Sequence, residues 1–433
     1  MYRIKDVHAL EILNSRGNPT IEVTITLNNN IKGSAIVPSG ASKGFKEAYE
    51  LKDNDKNRYH GKGVLKAVYN VNTIIKNKLI GMAATNQLLI DKTLIALDGS
   101  KNKENLGANA ILGVSLAVAK AAANYYNMPL FKYIGGINAY VLPTPLMNVI
   151  NGGVHSYSTI DFQEYFIIPA NFKSFKEALR AGSEIFHHLS DVLKESGYET
   201  NVGDEGGYAP LCKNGNREPL ELIIKAIKKA SYIPGKDIFL GLDVAANEFY
   251  NENTKTYDLK KSHEGSKTFH EMIDYYIDLV NKYPIITIED ALNENDIEGW
   301  KELTLKLKDK IQLVGDDLFV TNKEILSEGI KNNIANSILI KYNQIGTLSE
   351  TLDAINLAKS NNYSTIISHR SGESEDSFIA DLAVATNAMQ IKTGSLSRSD
   401  RTSKYNELLR IEDMLQDEAI FLGLKAFKKY QFK

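Results

Sequence analysis

A chain of 433 residues, 43% hydrophobic and 24% charged, is long enough for two domains, one of them large. Its formal net charge of −2, with both signs spread along the chain, gives no support for a nucleic-acid partner, which would want a clustered basic face. A single cysteine, Cys212, excludes an internal disulfide and an all-cysteine metal cage.

No apolar stretch is long enough to span a bilayer. The opening "MYRIKDVHALEIL" lacks the basic-then-apolar pattern of a secretory signal, so a cytoplasmic protein is expected. Residues 1 to about 30 read as strands around the turn at Gly17, Asn18 and Pro19, with alternation through Ile21, Val23, Ile25 and Leu27. The Pro/Ser/Gly-rich "IVPSGASKG" (36–44) has no periodicity and reads as a mobile loop. From about 61 to 127 the spacing is helical, and "NAILGVSLAVAKAAANYY" ends before Met128-Pro129. A domain boundary near 125–140 divides the chain into 1–135 and 136–433.

Beyond it, short β-branched runs alternate with amphipathic stretches: "DIFLGLD", "PIITIED", "IQLVGDD", "NSILIK", "YSTIISH" and "AMQIK". That alternation predicts a parallel sheet closed into a β/α barrel, with an α/β class for the whole chain. Each run ends on an ionisable group: Asp243, Glu289, Asp316, Lys341, His369 and Lys392. Strands often stop at polar residues, but six ionisable endings in succession point to the rim where barrel chemistry sits.

Asp243, Glu289 and Asp316 are hard oxygen donors with no histidine or cysteine among them, which suits Mg²⁺ better than zinc. For any one of these acids alone, a helix cap or surface ion pair is the ordinary reading. Beside a divalent cation, the ammonium of Lys341 or Lys392 is expected to lose affinity for its proton. A fall from about 10.4 to about 8 costs roughly 3 kcal/mol. Its use would be a neutral amine acting as general base. "INGGVHSYSTIDFQEYFIIP" supplies His155, Gln163 and Glu164, and "NVGDEGGYAP" holds Glu205 in a Gly-rich loop. "SHRSGE" offers His369, Arg370 and Ser371, donors that suit a phosphate.

In order, "SRGNPT", "PSGAS", "MNVINGG", "FQE", "NVGDEGG", "IED", "GDDLFVTN", "KYNQIGTLSE", "SHRSGESED" and "IKTGSLSRSDR" span nearly the whole chain, which resembles the enolase family in its bacterial form. The resemblance implies an α+β N-terminal domain before a TIM-like barrel that opens with an irregular ββαα unit. It implies a phosphopyruvate hydratase, converting 2-phosphoglycerate to phosphoenolpyruvate with two Mg²⁺ ions. By the same resemblance Asp243, Glu289 and Asp316 hold the first metal, and Ser42 caps the second, which arrives with substrate. Lys341 removes the C2 proton, and two cations spread the charge of the dianionic intermediate. Glu205 assists departure of the C3 hydroxyl, with Glu164 orienting its loop. Lys392 contacts the substrate carboxylate; Arg370, Ser371 and His155 take the phosphate. The family also implies a homodimer, or an octamer built from dimers.

Asn14 stands before "SRGNPT" where Asp is usual, Lys43 follows "PSGAS" where Thr is usual, and "HSYST" is bulkier than the small residues often found there. A racemase or cycloisomerase of the same superfamily would share the barrel and the acids, but would not be expected to combine "PSGAS", His155 and "SHRS". A binding role is the other alternative. Some family members lie at cell surfaces, reached without a signal peptide, and bind plasminogen through a terminal lysine, here Lys433 after "KKYQF".

Overall fold

The structure is a computed structural model and describes residues 2–40 and 46–427. Near the start, β1 (Ile4–Leu13), β2 (Pro19–Leu27) and β3 (Lys32–Ile36) form an antiparallel sheet in that order. The alternation in β2 sends Ile21, Val23, Ile25 and Leu27 into the core. Opposite them lie α1 (Gln87–Asp98) and α2 (Ala108–Tyr125). Asn86 starts α1 by accepting the Leu89 N–H, and Gly99 ends it with φ 71°. The alanine-rich face of α2 comes so close to β3 that a Cβ on Gly33 would lie 2.1 Å from the Ala121 nitrogen. Only glycine fits there.

Eight strands close the barrel: β4 (Thr144–Asn151), β5 (Glu164–Pro169), β6 (Ile238–Asp243), β7 (Ile285–Glu289), β8 (Gln312–Gly315), β9 (Ser337–Ile340), β10 (Ser364–Ser368) and β11 (Met389–Lys392). From β6 to β11, and from β11 to β4, neighbours are parallel. Strand β5 runs antiparallel to both β4 and β6, unlike the all-parallel sheet that strand–helix alternation predicts. Residues 152–163, which join β4 to β5, carry only the short turn Gly153–His155, with no crossover helix to return the chain in parallel. Helices α3 (Phe175–Glu195) and α4 (Glu218–Lys229) then both precede β6, giving the ββαα opening that the resemblance implies.

The barrel interior is filled by residues such as Phe166, Phe239, Ile286, Val314, Leu339 and Ile366. Phe427 and Ala426 join that cluster from the far end of the chain. Gly423 accepts the Thr144 hydroxyl at 3.0 Å, and Leu424 N–H bonds the Ala170 carbonyl at 2.6 Å. This floor leaves the opposite mouth for chemistry. The smaller N-terminal domain is fastened to the barrel by partly buried polar pairs, among them Lys120 with Asp376 at 2.8 Å and Ser349 N–H with Asp91 at 3.0 Å.

Asp381, on the helix Phe378–Ala385, accepts the Phe131 N–H at 3.1 Å. Burial, with Glu407 nearby, pushes its carboxyl up to about 7. A carboxyl raised in the folded state favours folding below its unfolded value of about 3.9, and that contribution is lost as pH rises through about 7. Asp381→Asn should therefore flatten the stability profile between about pH 4 and pH 7 and stabilise the protein at pH 8 by roughly 1–3 kcal/mol. Urea midpoints across that range check this, and an unchanged slope would mean that the carboxyl titrates normally.

Candidate active site

Six strand ends meet on one rim. Asp243 and Glu289 finish β6 and β7 and are register partners, and Lys392 finishes β11. Asp316, Lys341 and His369 come one residue past β8, β9 and β10. A small polar cavity at this rim is lined by Asp243, Lys341, His369 and Lys392, together with His155, Gln163, Glu164, Glu205, Arg370 and Ser371. Glu289 and Asp316 reach the same cluster through the lysines.

Lys392, 2% exposed, donates to Asp243 Oδ2 at 2.8 Å and Glu289 Oε1 at 2.9 Å, with Glu164 Oε1 at 3.2 Å. Burial opposes its charge, but Asp243, Glu164 and Glu289 together hold its proton affinity well above that of an ordinary lysine. Gln163 Nε2 adds a bond to Asp243 Oδ2 at 3.3 Å.

Lys341 pairs with Asp316. Burial pulls its proton affinity down, yet the neighbouring carboxylates, Asp316 foremost and then Glu289, together leave it raised. The lowered lysine expected from the sequence is thus not a property of the side chains alone; it requires a cation that competes for Asp316. Gln344 Nε2 holds the other oxygen, Asp316 Oδ1, at 2.8 Å. Thr321 accepts the Lys341 N–H at 2.9 Å and donates to Gln344 Oε1 at 2.9 Å. To make both bonds the chain runs through left-handed backbone at two β-branched residues, Val320 (φ 43°) and Thr321 (φ 54°). Such strain is retained where surrounding contacts fix it.

On the opposite side, Glu205 accepts Asn148 Nδ2 at 3.0 Å on Oε2. His369 Nε2 lies 3.5 Å from the same oxygen. His155 Nδ1 stands 3.6 Å from both Glu205 Oε1 and Glu164 Oε1. Burial and the nearby Glu205 push Glu164 well above the carboxylate range. Glu205 is held well below it, because the surrounding imidazoles, Arg401 and Lys392 outweigh the cost of burial. Between the two acids, a proton is therefore favoured on Glu164 over Glu205. The Glu205 loop packs tightly: a Cβ on Gly206, at φ 83°, would meet the Ser397 carbonyl at 2.5 Å.

Arg370 meets Glu47 with a two-pronged contact, Nη1 to Oε2 at 3.1 Å and Nη2 to Oε1 at 3.2 Å. Asn14 accepts the N–H groups of Arg16 and Asn18 at 2.9 and 3.1 Å, so the turn keeps an acceptor there without a carboxylate's charge. Tyr157 of "HSYST" is 92% exposed and puts its bulk into solvent. Ser42, Lys43 and Lys433 lie outside the described residues.

The family profile for the enolase N-terminal domain matches residues 4–134, and that for the enolase C-terminal TIM barrel domain matches residues 139–430. The chain belongs to the enolase family. Its rim also fits the divalent cation expected of an enolase site. Glu289 Oε2, Glu164 Oε2 and Gln163 Oε1 are buried without a hydrogen-bond partner. Burial and Asp243 push Glu289 well above the carboxylate range, the sign of more acid than Lys392 can neutralise. Ligand oxygens of Asp290, Asp316 and Asp317 also lie within 4.8 Å of one another.

Four residues that shape this site carry no role in the sequence reading: Asn148, Gln344, Glu47 and Arg401. The first two and Arg401 fall inside "MNVINGG", "KYNQIGTLSE" and "IKTGSLSRSDR", but none is a strand end, and nothing in their spacing separates them from ordinary polar residues. Magnesium added to metal-free protein should raise its thermal midpoint, consistent with about 2.7 kcal/mol at a hundredfold excess over Kd. Glu289→Gln should largely remove that shift, and a shift kept intact would put the cation elsewhere.

Proposed function

We propose that the chain is a phosphopyruvate hydratase that interconverts 2-phospho-D-glycerate and phosphoenolpyruvate in glycolysis and gluconeogenesis. The observation that carries this reading is the division of one buried cavity. Lysines and acids stand on one wall, a Glu205–histidine cluster on the other, and Arg370 with Ser371 at the edge.

In this reading Asp243, Glu289 and Asp316 hold one Mg²⁺, and Ser42 serves a second that comes with substrate. Bound cations supply charge that makes the C2 proton acidic. Lys341, freed from Asp316, takes that proton. Lys392 orients the substrate carboxylate. Arg370, Ser371 and His155 hold the phosphate. Glu164 and Glu205 share a proton that Glu205 delivers to the C3 hydroxyl, so that the C3–O bond breaks and water leaves. Gln163 and His369 line the substrate and keep these groups aligned.

The division into a 1–135 capping domain and a 136–433 catalytic barrel belongs to the same reading, as do a homodimeric or octameric assembly and a cytoplasmic location. Among the described residues no helix is long and apolar enough to cross a membrane.

Converting 2-phosphoglycerate should produce the ultraviolet signal of the conjugated product and lose it on chelation. A racemase or cycloisomerase would give none. Lys341→Ala should abolish solvent exchange of the C2 proton. Glu205→Gln should slow dehydration by about 10²–10⁴-fold while leaving that exchange in place. Equal loss of exchange in both variants would overturn the division of roles.

A further inference from the structure

Arg401 sits in the first turn of the helix Ser399–Leu415 and is fully buried. Its Nη1 donates to the Arg370 carbonyl at 2.6 Å, and its Nη2 to the carbonyls of Ser371 at 2.7 Å and Asp204 at 3.2 Å. One guanidinium thereby ties the "SHRS" loop to the "DEGG" loop. The same Nη1 also meets the Nδ1 of His369. Room for the arginine stem comes from Gly394, where a Cβ would lie 2.7 Å from Arg401 Cδ.

We propose that Arg401 is a positioning residue that fixes His369 as its Nε2–H tautomer, so that the imidazole presents a permanent donor to Glu205. The argument is one of hydrogen-bond chemistry. Arginine has only donors and stays protonated in proteins, so the ring nitrogen facing it must carry a lone pair. A neutral imidazole with a bare Nδ1 has its proton on Nε2. That nitrogen is the one 3.5 Å from Glu205 Oε2. A protonated ring would point an N–H at the guanidinium and add a cation beside Arg401, Lys392 and Lys341, against the nearby Glu205 carboxylate.

The consequence is an asymmetric carboxylate. Asn148 bonds Oε2 of Glu205 at 3.0 Å and the His369 Nε2, buried without a hydrogen-bond partner, lies 3.5 Å from the same oxygen, while Oε1 faces His155 and, beyond it, Glu164. A proton reaching Glu205 from the Glu164 side therefore meets Oε1. Resting on the dehydration reading, this is the oxygen from which the proton leaves for the C3 hydroxyl; the C3–O bond breaks, water departs and the carboxylate stays behind.

The tautomer is read directly by long-range ¹H–¹⁵N correlation spectra of the full chain labelled at histidine, with His369 assigned by its loss in His369→Gln. The Nε2–H pattern is expected at pH 7, and Arg401→Met should replace it with an Nδ1–H or mixed pattern. Kinetically, Arg401→Met should lower kcat for dehydration about 10²-fold while C2 proton exchange persists. Arg401→Lys, a donor-only cation, should recover part of the loss. If Arg401→Met fails to fold, two His369 variants decide the matter. In His369→Gln the amide can accept from Arg401 and donate to Glu205, so it should outperform His369→Leu by at least about tenfold. An Nδ1–H ring or an imidazolium in the unmodified protein would overturn the proposal, as would equal impairment of the two His369 variants. An Nε2–H ring in a protein that leaves 2-phosphoglycerate unchanged would support the tautomer and sink the reaction.

Discussion

More carboxylate is buried at the barrel mouth than its ammonium groups can balance, and the rest of the site follows from that excess. A buried charge is tolerated only when paired and hydrogen-bonded. Lys392 answers three acids at once, and Lys341 answers Asp316. What remains is expressed as raised carboxyls at Glu289 and Glu164 and as buried oxygens with no donor. A site left in that condition is built to receive positive charge. The barrel imposes the arrangement, because successive parallel strands deliver their C-terminal residues to one rim.

The opposite wall works by different means. Its carboxyl, Glu205, comes from a loop between β5 and β6, the one part of the barrel where strand–helix alternation breaks down. A loop cannot hold a group as a strand end does. The structure compensates with packing and donors: Gly206 pressed against Ser397, Asn148 bonded from β4, and the guanidinium of Arg401 gathering three carbonyls from two loops. Precision on this wall is a property of hydrogen-bonded loops, whereas on the lysine wall it is a property of the sheet.

That contrast explains what the sequence disclosed. The six strand-end residues were legible because burial on both faces makes each strand a continuous apolar run, so an ionisable residue closing it stands out. The antiparallel β5 was not legible from periodicity, since a buried strand reads alike in either direction; only the lack of a crossover helix in 152–163 marks it. Loop residues such as Glu205 stood out only as acids in a Gly-rich loop, and their role came through the resemblance. Arg401 and Gln344 stayed silent, because a buried polar residue acting through others leaves no trace in spacing. The pairing of Lys341 with Asp316 was likewise not legible, because that contact depends on how β8 and β9 lie side by side.

The floor of the barrel bears on how the protein is made. Thr144, in the first barrel strand, bonds the Gly423 carbonyl 279 residues away, and Phe427 completes the interior beneath Phe239 and Ile286. While residues 423–427 are still unmade, the strands can assemble but their lower opening stays unsealed. Until that stretch takes its place, the aromatic interior stays open to water and to other exposed apolar surfaces.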